Sequence, residues 1–220
     1  GNNWNDYFLN KTAFSHVHSL TFSGGSQING RPLTYYLSGD FTKENGLNKL
    51  ASDYWQRKGI RGRLSFSPTS WLKIDNNMNV YQTNRDRPNV NLTDIYYLQP
   101  TDVAVNPDGT WGNNAAGRLA ARLVDGGKTN ENMVGYQNIF NAVGTFLNGD
   151  LTVTADASFK REYWRYPQFS KKYKIGFGPD DVREEGGNGY VQDRRGEIRN
   201  DVFNLYANYN KKIEKHALGI

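Results

Sequence analysis

Polar and apolar residues alternate with a period of two along most of this sequence, and no other feature constrains the fold as strongly. Over residues 33–42, every second residue from Leu33 is apolar or glycine, and the residues between them are mostly polar. This alternation predicts a β-strand with one apolar and one polar face, because successive side chains of a strand point to opposite sides. Similar alternation occurs at residues 14–24, 60–67, 72–80, 136–147, 151–160, 203–210 and 216–220. Eight strands are therefore predicted, the last of them incomplete.

The connections between these strands alternate between short and long. In chain order they are residues 25–32, 45–56, 68–70, 86–135, 148–149, 166–196 and 211–214. Asn148-Gly149 is typical of a two-residue hairpin turn, because both central positions of such a turn require a positive φ. Strict alternation of short turns and long loops is typical of an up-and-down meander whose two ends face different surroundings. Within the longest loop, residues 115–124 are predicted to form a short helix with Leu119 and Leu123 on one side.

The composition indicates a folded β-protein. Hydrophobic residues make up 37% of the chain, but 14% of the residues are aromatic, which is too many for a disordered segment. The absence of cysteine excludes disulfides, thiolate zinc sites and cysteine nucleophiles. No run of about 18 apolar residues occurs, which excludes a transmembrane helix but leaves transmembrane strands possible.

Alternation alone does not decide whether the apolar faces contact lipid or a buried core. It does predict one common arrangement of faces along the sheet. One face is expected to carry Leu37, Leu64, Ile74, Val153 and Leu205, and the other Ser38, Arg63, Asp75, Thr154 and Asn204. Arg61 and Arg63 are expected to lie in water, because a charge on a lipid face costs about 2–4 kcal/mol at the membrane midplane.

Seven segments of the sequence resemble one known family. They are NWNDYF (3–8), TAFSHVHSLTFSGG (12–25), YYLSG (35–39), ENG (44–46), RGRLSF (61–66), WLKI (71–74) and NPDGTW (106–111). Together they resemble the SusC/RagA-type TonB-linked outer-membrane transporters of Bacteroidota. The resemblance covers most of the chain and weakens through residues 166–196.

The resemblance implies an all-β fold, an antiparallel up-and-down meander of about eight strands that forms part of a transmembrane β-barrel with long extracellular loops. Such transporters have barrels of about 22 strands around a plug. Residues 1–220 would then be a partial barrel, roughly its second to ninth strands, without the plug or a TonB-contacting segment. The implied location is the Gram-negative outer membrane. The implied partners are membrane lipid, TonB and a SusD-type surface lipoprotein, and the implied substrate is an oligosaccharide or a peptide.

A candidate ligand site lies in the predicted loop 86–135. Sugar rings stack on aromatic side chains, and their hydroxyl groups need amide or carboxylate partners. The candidate ligand-binding residues are Trp111, Tyr96, Tyr97 and Asn113. Trp111 is the leading candidate, because Gly109 and Gly112 beside it leave its ring face open. Packing of these rings within the loop is the alternative.

The sequence predicts no metal, no cofactor and no catalytic site. His16 and His18 share a strand face, but no third ligand with suitable spacing accompanies them. Asp180-Asp181 and Glu184-Glu185 lie in a glycine-rich loop and are expected to point to solvent rather than to hydrolyse glycosides. The net charge of +5 comes from cations spread along the chain, so nucleic-acid binding is not expected either.

Two other functions fit the same alternation. The chain could be a soluble carbohydrate-binding or adhesive β-domain, with its apolar faces in a buried core, or a glycoside hydrolase domain. Dependence on detergent would separate a barrel wall from a soluble domain, because lipid-facing strands expose far more apolar surface than soluble monomers tolerate. Turnover of polysaccharides would identify a hydrolase.

Overall fold

The computed structural model describes residues 1–213 and 216–219, and it confirms the all-β prediction. In chain order the elements are α1 (Trp4–Phe8), β1 (Ser15–Ile28), β2 (Arg31–Asn45), β3 (Tyr54–Phe66), β4 (Leu72–Pro88), β5 (Trp111–Gly112), α2 (Ala115–Val124), β6 (Lys128–Phe146), β7 (Leu151–Ser170), β8 (Tyr173–Gly178), β9 (Asp181–Glu185), β10 (Tyr190–Ile213) and β11 (His216–Gly219). Two short 3-10 segments, Leu92–Tyr97 and Leu147–Gly149, lie between them. Eight strands form one sheet in the order β1-β2-β3-β4-β6-β7-β10-β11, and every neighbouring pair is antiparallel. The predicted meander is confirmed.

The register of the sheet places its side chains on two faces. Directly paired residues of an antiparallel sheet share a face. Leu37 pairs with Gly62, which lies two positions from Leu64 and so shares its face. Following the pairs from strand to strand in this way leads to β10, where Leu205 lies opposite Ala155. The register therefore confirms both predicted sets, with Leu37, Leu64, Ile74, Val153 and Leu205 on one face and Ser38, Arg63, Asp75, Thr154 and Asn204 on the other. We call these the apolar face and the polar face.

The apolar face is open. Leu37 is 48% exposed and Leu205 is 77% exposed, and no second layer packs on them within the described residues. Other large exposed residues of this face are Leu20, Phe22, Ile60, Leu64, Val80, Phe140 and Phe203. The buried apolar cluster lies instead among the helices and connections, where it includes Trp4, Phe8, Ile95, Ala116, Leu119 and Leu123.

The two ends of the sheet differ as the alternation predicted. The connections 29–30, 67–71 and 147–150 are short and share one end, which we call the turn end. The connections 46–53, 89–127 and 171–189 share the other end, the loop end. Together with residues 1–14 they form a packed unit, which we call the loop cluster.

Part of the predicted turn 211–214 and the last residue of the predicted strand 216–220 lie outside the described residues.

The strands extend further toward the loop end than the alternation predicted. The true connections are 89–127 in place of the predicted 86–135 and 171–189 in place of the predicted 166–196. In these extensions the apolar face also carries charge, as where Arg165 binds Asp193 at 3.0 Å. The alternation of apolar and polar residues breaks down there because Arg165 and Asp193 lie on the apolar face while Trp164 and Tyr166 lie on the polar face, although the backbone pairing of β7 with β10 continues.

The predicted loop 166–196 also contains structure of its own. Strands β8 and β9 form a hairpin in it, and β5 from the preceding long connection pairs in parallel with β8. This three-stranded sheet joins the two longest connections. The predicted helix is confirmed as α2, with Leu119 and Leu123 buried. The helices of the described chain are short, α2 being the longer, and none of them could cross a bilayer.

Two tight turns depend on positive φ. Asn148 and Gly149 have φ of 57° and 100°, as the hairpin prediction requires, but Leu147 also has φ of 53°. Because Phe146 pairs with Leu151, this connection has four residues and the predicted two-residue turn is wrong in length. The chain does have a two-residue turn at residues 29–30, an Asn-Gly pair with φ of 51° and 75°.

Candidate functional site

The polar face carries charged groups that bind one another. Arg57 donates to Asp40 at 2.5 Å, from β3 to β2. The Tyr81 hydroxyl donates to Glu162, and the Lys160 ammonium lies 3.1 Å from the same carboxylate. These side chains come from neighbouring strands and share one face because of the register. A surface of paired charges and amides is suited to contact with water and polar solutes.

Arg61 and Arg63 lie on this polar face, as predicted. Both residues are exposed, and the Arg63 side chain is 56% exposed with its guanidinium 3.8 Å from Asp75. Neither guanidinium is therefore buried in an apolar setting. The structure places both arginines on the polar face, and their contact with water stays a prediction.

A recess of about 500 Å³ lies at the loop end of the polar face. It is lined by Arg87, Asn89, Val90, Asn91, Thr129, Glu131, Tyr166, Gln168 and Arg194. We call it the rim niche. The predicted loop 166–196 did not reveal this niche, because Tyr166, Gln168 and Arg194 lie on the ends of β7 and β10 instead. Trp164 and Tyr166 are two residues apart, and this spacing could have placed both rings on one face of a strand.

An aromatic pair lies directly below the rim niche. The rings of Trp164 and Tyr166 stack at 4.9 Å between centroids with 29° between their planes. Trp164 faces Gly196 of the next strand, and its indole occupies the space that a side chain at Gly196 would fill. Because Gly196 has no side chain, the indole packs directly on β10. The indole in turn supports the Tyr166 ring.

Trp111 is held inside the loop cluster. It lies on β5, is half-buried, and packs against the buried apolar cluster. Its indole Nε1 donates to Asp125 Oδ2 at 2.7 Å, and its backbone pairs with Ile175 of β8. These contacts are those of a packing residue. They favour the alternative in which Trp111 stabilises the loops.

The other three candidate residues occupy different surroundings. Tyr96 and Tyr97 are each 82% exposed, at the end of the 3-10 segment Leu92–Tyr97. Asn113 accepts a hydrogen bond from Arg118 at 2.6 Å. Among the described contacts, none joins two of the four candidates, so the structure does not assemble them into one pocket. Tyr96 and Tyr97 form the exposed aromatic surface of the loop cluster.

Two acidic residues of the second long connection bind arginines. Glu185 receives two hydrogen bonds from Arg118 of α2, both at 2.8 Å, and these hold the pKa of Glu185 below its usual value. Asp181 binds Arg183, which likewise lowers the pKa of Asp181. The expectation that these residues point to solvent is wrong for Glu185, because α2 brings Arg118 to it, whereas the Asp181 side chain remains 47% exposed, as expected.

His16 and His18 lie on the apolar face near the loop end. Their ring centroids are 5.5 Å apart, and the His18 ring stacks on Phe41. Within the described residues, no group of three or more His, Cys, Asp or Glu side chains has a geometry that could hold a metal ion. The absence of a metal remains a prediction for this pair.

The fold is similar to part of a solved transporter structure. Over 98% of its length the chain matches a chain of the RagAB peptide importer in its closed-closed state, with a TM-score of 0.70 and 19% sequence identity. The match spans 24% of that chain, so the present chain corresponds to about a quarter of it. No protein-family model and no curated protein matches the sequence. The likeness shows a shared fold.

Proposed function

We propose that this chain is a wall and loop segment of an outer-membrane active transporter of the SusC/RagA type. One observation carries the proposal: a single sheet has an exposed apolar face on one side and an exposed polar face on the other. A sheet with water on both sides would leave the apolar face without a partner. Lipid on one side and an aqueous lumen on the other satisfy both faces.

The energetics favour lipid as the partner of the apolar face. Removing one leucine or phenylalanine side chain fully from water contributes about 1.5–3 kcal/mol. Residues such as Leu37, Leu205 and Phe203 are largely exposed. Most of that free energy would therefore be gained only if another apolar phase covered them. The face extends over all the long strands, which is far more than the few hundred Å² of apolar surface that soluble monomers expose. This disfavours the soluble carbohydrate-binding or adhesive domain.

The arrangement of the connections supports the same function. In outer-membrane barrels, short turns lie on the periplasmic side and long loops lie outside. The loop cluster would then be extracellular, where a SusD-type lipoprotein could cover it, and TonB would act on another part of the full-length transporter. The structurally similar protein imports peptides. We propose a peptide or an oligosaccharide as the substrate, exposed Tyr96 and Tyr97 as ligand contacts, and no enzymatic role for this segment.

Spin labels on adjacent residues of β2 test the proposal. The chain contains no cysteine, so Leu37→Cys and Ser38→Cys each give one labelling site in this segment of the full-length protein. In outer-membrane vesicles the label at position 37 should collide mainly with oxygen, which partitions into lipid. The label at position 38 should collide mainly with a water-soluble nickel chelate. Equal access of both labels to the chelate would contradict a lipid-facing wall and would favour a soluble domain.

A further inference from the structure

The rim niche is walled by strands and roofed by the chain that leaves β4. Arg87, Thr129 and Gln168 form one tier across β4, β6 and β7, since each is paired with the next. The roof is held down by Asn89, which donates to the carbonyl oxygen of Phe169 at 2.6 Å and accepts from the Thr129 hydroxyl at 2.5 Å. The niche is therefore a formed recess on rigid elements.

The niche carries one uncompensated positive charge. Arg87 and Glu131 neutralise each other, with the guanidinium Nε 2.9 Å from the carboxylate. Arg194 is the other cation, and its hydrogen-bond partner in the described part of the chain is the neutral amide of Gln192 at 3.0 Å. Every neighbouring arginine of β10 on the opposite face has a carboxylate partner, as Arg195 has in Asp193. A guanidinium in a recess that has no carboxylate partner among the described residues favours an anion.

The remaining lining is suited to a peptide chain. Tyr166 lies directly opposite Arg194 in the register and is supported from below by the stacked Trp164 ring. It gives the niche a flat, rigid wall for an apolar side chain. Gln168 offers an amide donor and acceptor that match backbone peptide groups, and Asn91, whose Oδ1 accepts from the Thr93 N–H, offers its amide donor. A volume of about 500 Å³ accommodates two to three small residues at the scale of known ligand pockets.

We propose that the rim niche binds the carboxylate end of a short peptide, with Arg194 holding the carboxylate. The planar guanidinium fork matches the two oxygens of a carboxylate, whereas an oligosaccharide without acidic groups would leave Arg194 unpaired. The proposal rests on the proposed function in one respect: the polar face must line the path of the substrate. It adds the chemical group of the substrate that is recognised, a carboxylate, and the residue that binds this group, Arg194.

Binding of matched peptides to the purified full-length transporter tests the proposal. The probes are N-acetyl tetra-alanine with a free C-terminal carboxylate, its C-terminal amide, and an amidated peptide with one internal aspartate. The wild type should bind the free acid about tenfold more tightly than the amide, the scale of one hydrogen-bonded charge pair. Arg194→Gln should abolish this preference. Arg195→Gln, one position away on the opposite face, should retain it.

The outcomes separate the two proposals. An equal affinity of the wild type for acid and amide, or an acid preference that survives Arg194→Gln, overturns the carboxylate site while the spin-label result for the wall can still stand. Tighter binding of the aspartate peptide amide than of the plain amide, lost in Arg194→Gln, would show that Arg194 also accepts an acidic side chain. Arg194→Lys should restore only part of the preference, because an ammonium lacks the fork geometry.

Discussion

The Arg118 guanidinium of α2 donates to both carboxylate oxygens of Glu185 on β9, each at 2.8 Å. This contact joins the two longest connections of the sheet, because α2 belongs to residues 89–127 and β9 belongs to residues 171–189. Together with the parallel pairing of β5 and β8, it makes the loop cluster one packed unit. The loops therefore present a fixed surface above the rim niche.

Glu185→Gln should loosen the loop cluster without unfolding the sheet. The variant keeps the shape of the side chain but removes the charge, and a half-exposed bidentate pair contributes about 1 kcal/mol or less. Hydrogen exchange in α2 and β9 should accelerate by up to about fivefold, while exchange in β6 and β7 stays unchanged. Glu184→Gln is the matched control, because Glu184 is exposed and its charged partner among the described residues is Lys172 at 3.4 Å. Equal effects of the two variants would contradict the assigned role.

The same contact predicts a pH dependence. Hydrogen bonds from Arg118 lower the pKa of Glu185 below its ordinary value of 4.5. A lowered pKa in the folded state means that the stabilisation is fully present above about pH 4.5 and is lost as the pH falls through the folded-state pKa. Exchange of α2 amides, corrected for intrinsic rates, should therefore rise below about pH 4.5. The Glu185→Gln variant should lack this step, and a step at the same pH in that variant would assign it to another group.

Trp111→Ala should destabilise the loop cluster. The half-buried ring and its bond to Asp125 make a loss of about 1–3 kcal/mol the expected result, measured as local exchange in α2. Tyr96→Ala and Tyr97→Ala should change stability by no more than about 0.5 kcal/mol, because both rings are exposed. If Trp111 is instead a ligand contact, Trp111→Ala would leave the loops intact and weaken oligosaccharide binding by about 1–3 kcal/mol.

Gly196→Ala should displace the Trp164 indole from β10. An added Cβ at this position would overlap the ring and lie 2.8 Å from its Nε1. Forced repacking of this kind costs about 1–3 kcal/mol, so the Tm of the detergent-solubilised transporter should fall. The control is Gly62→Ala, because an added Cβ at Gly62 has no neighbour within 4 Å. An unchanged Tm in both variants would show that the indole moves aside freely.

Leu37→Arg and Ser38→Arg should have opposite consequences for barrel stability. Arginine on a lipid face costs about 2–4 kcal/mol near the membrane midplane and less toward the interfaces, whereas the lumen side tolerates it. Leu37→Arg should reduce the amount of folded protein in the outer membrane, and Ser38→Arg should not. Heat-modifiable migration on gels measures the folded fraction. A larger defect for Ser38→Arg would mean that the faces are assigned the wrong way round.

The sequence by itself determined the strands, their faces and the two kinds of connection. These features depend on local periodicity, since one apolar side chain in every two is enough to define a strand with two different faces. It also determined α2, whose apolar residues recur at helical spacing, and the positive φ of Asn148 and Gly149. The Asn-Gly turn at residues 29–30 carried an equally strong local signal.

Only the tertiary structure decided where the strands end and what the loops do. The alternation of apolar and polar residues breaks down where charged and aromatic residues are mixed on the two faces, so the extension of β7 and β10 depends on pairing between strands rather than on composition. Arg118 and Glu185 are far apart in sequence, and no local pattern joins them. The register showed that Arg195 and Asp193 lie on the opposite face from Arg194, which leaves Arg194 without a carboxylate partner among the described residues. Contacts between residues that are distant in the sequence depend on how the elements pack. They leave no repeating pattern in the sequence from which they could be predicted.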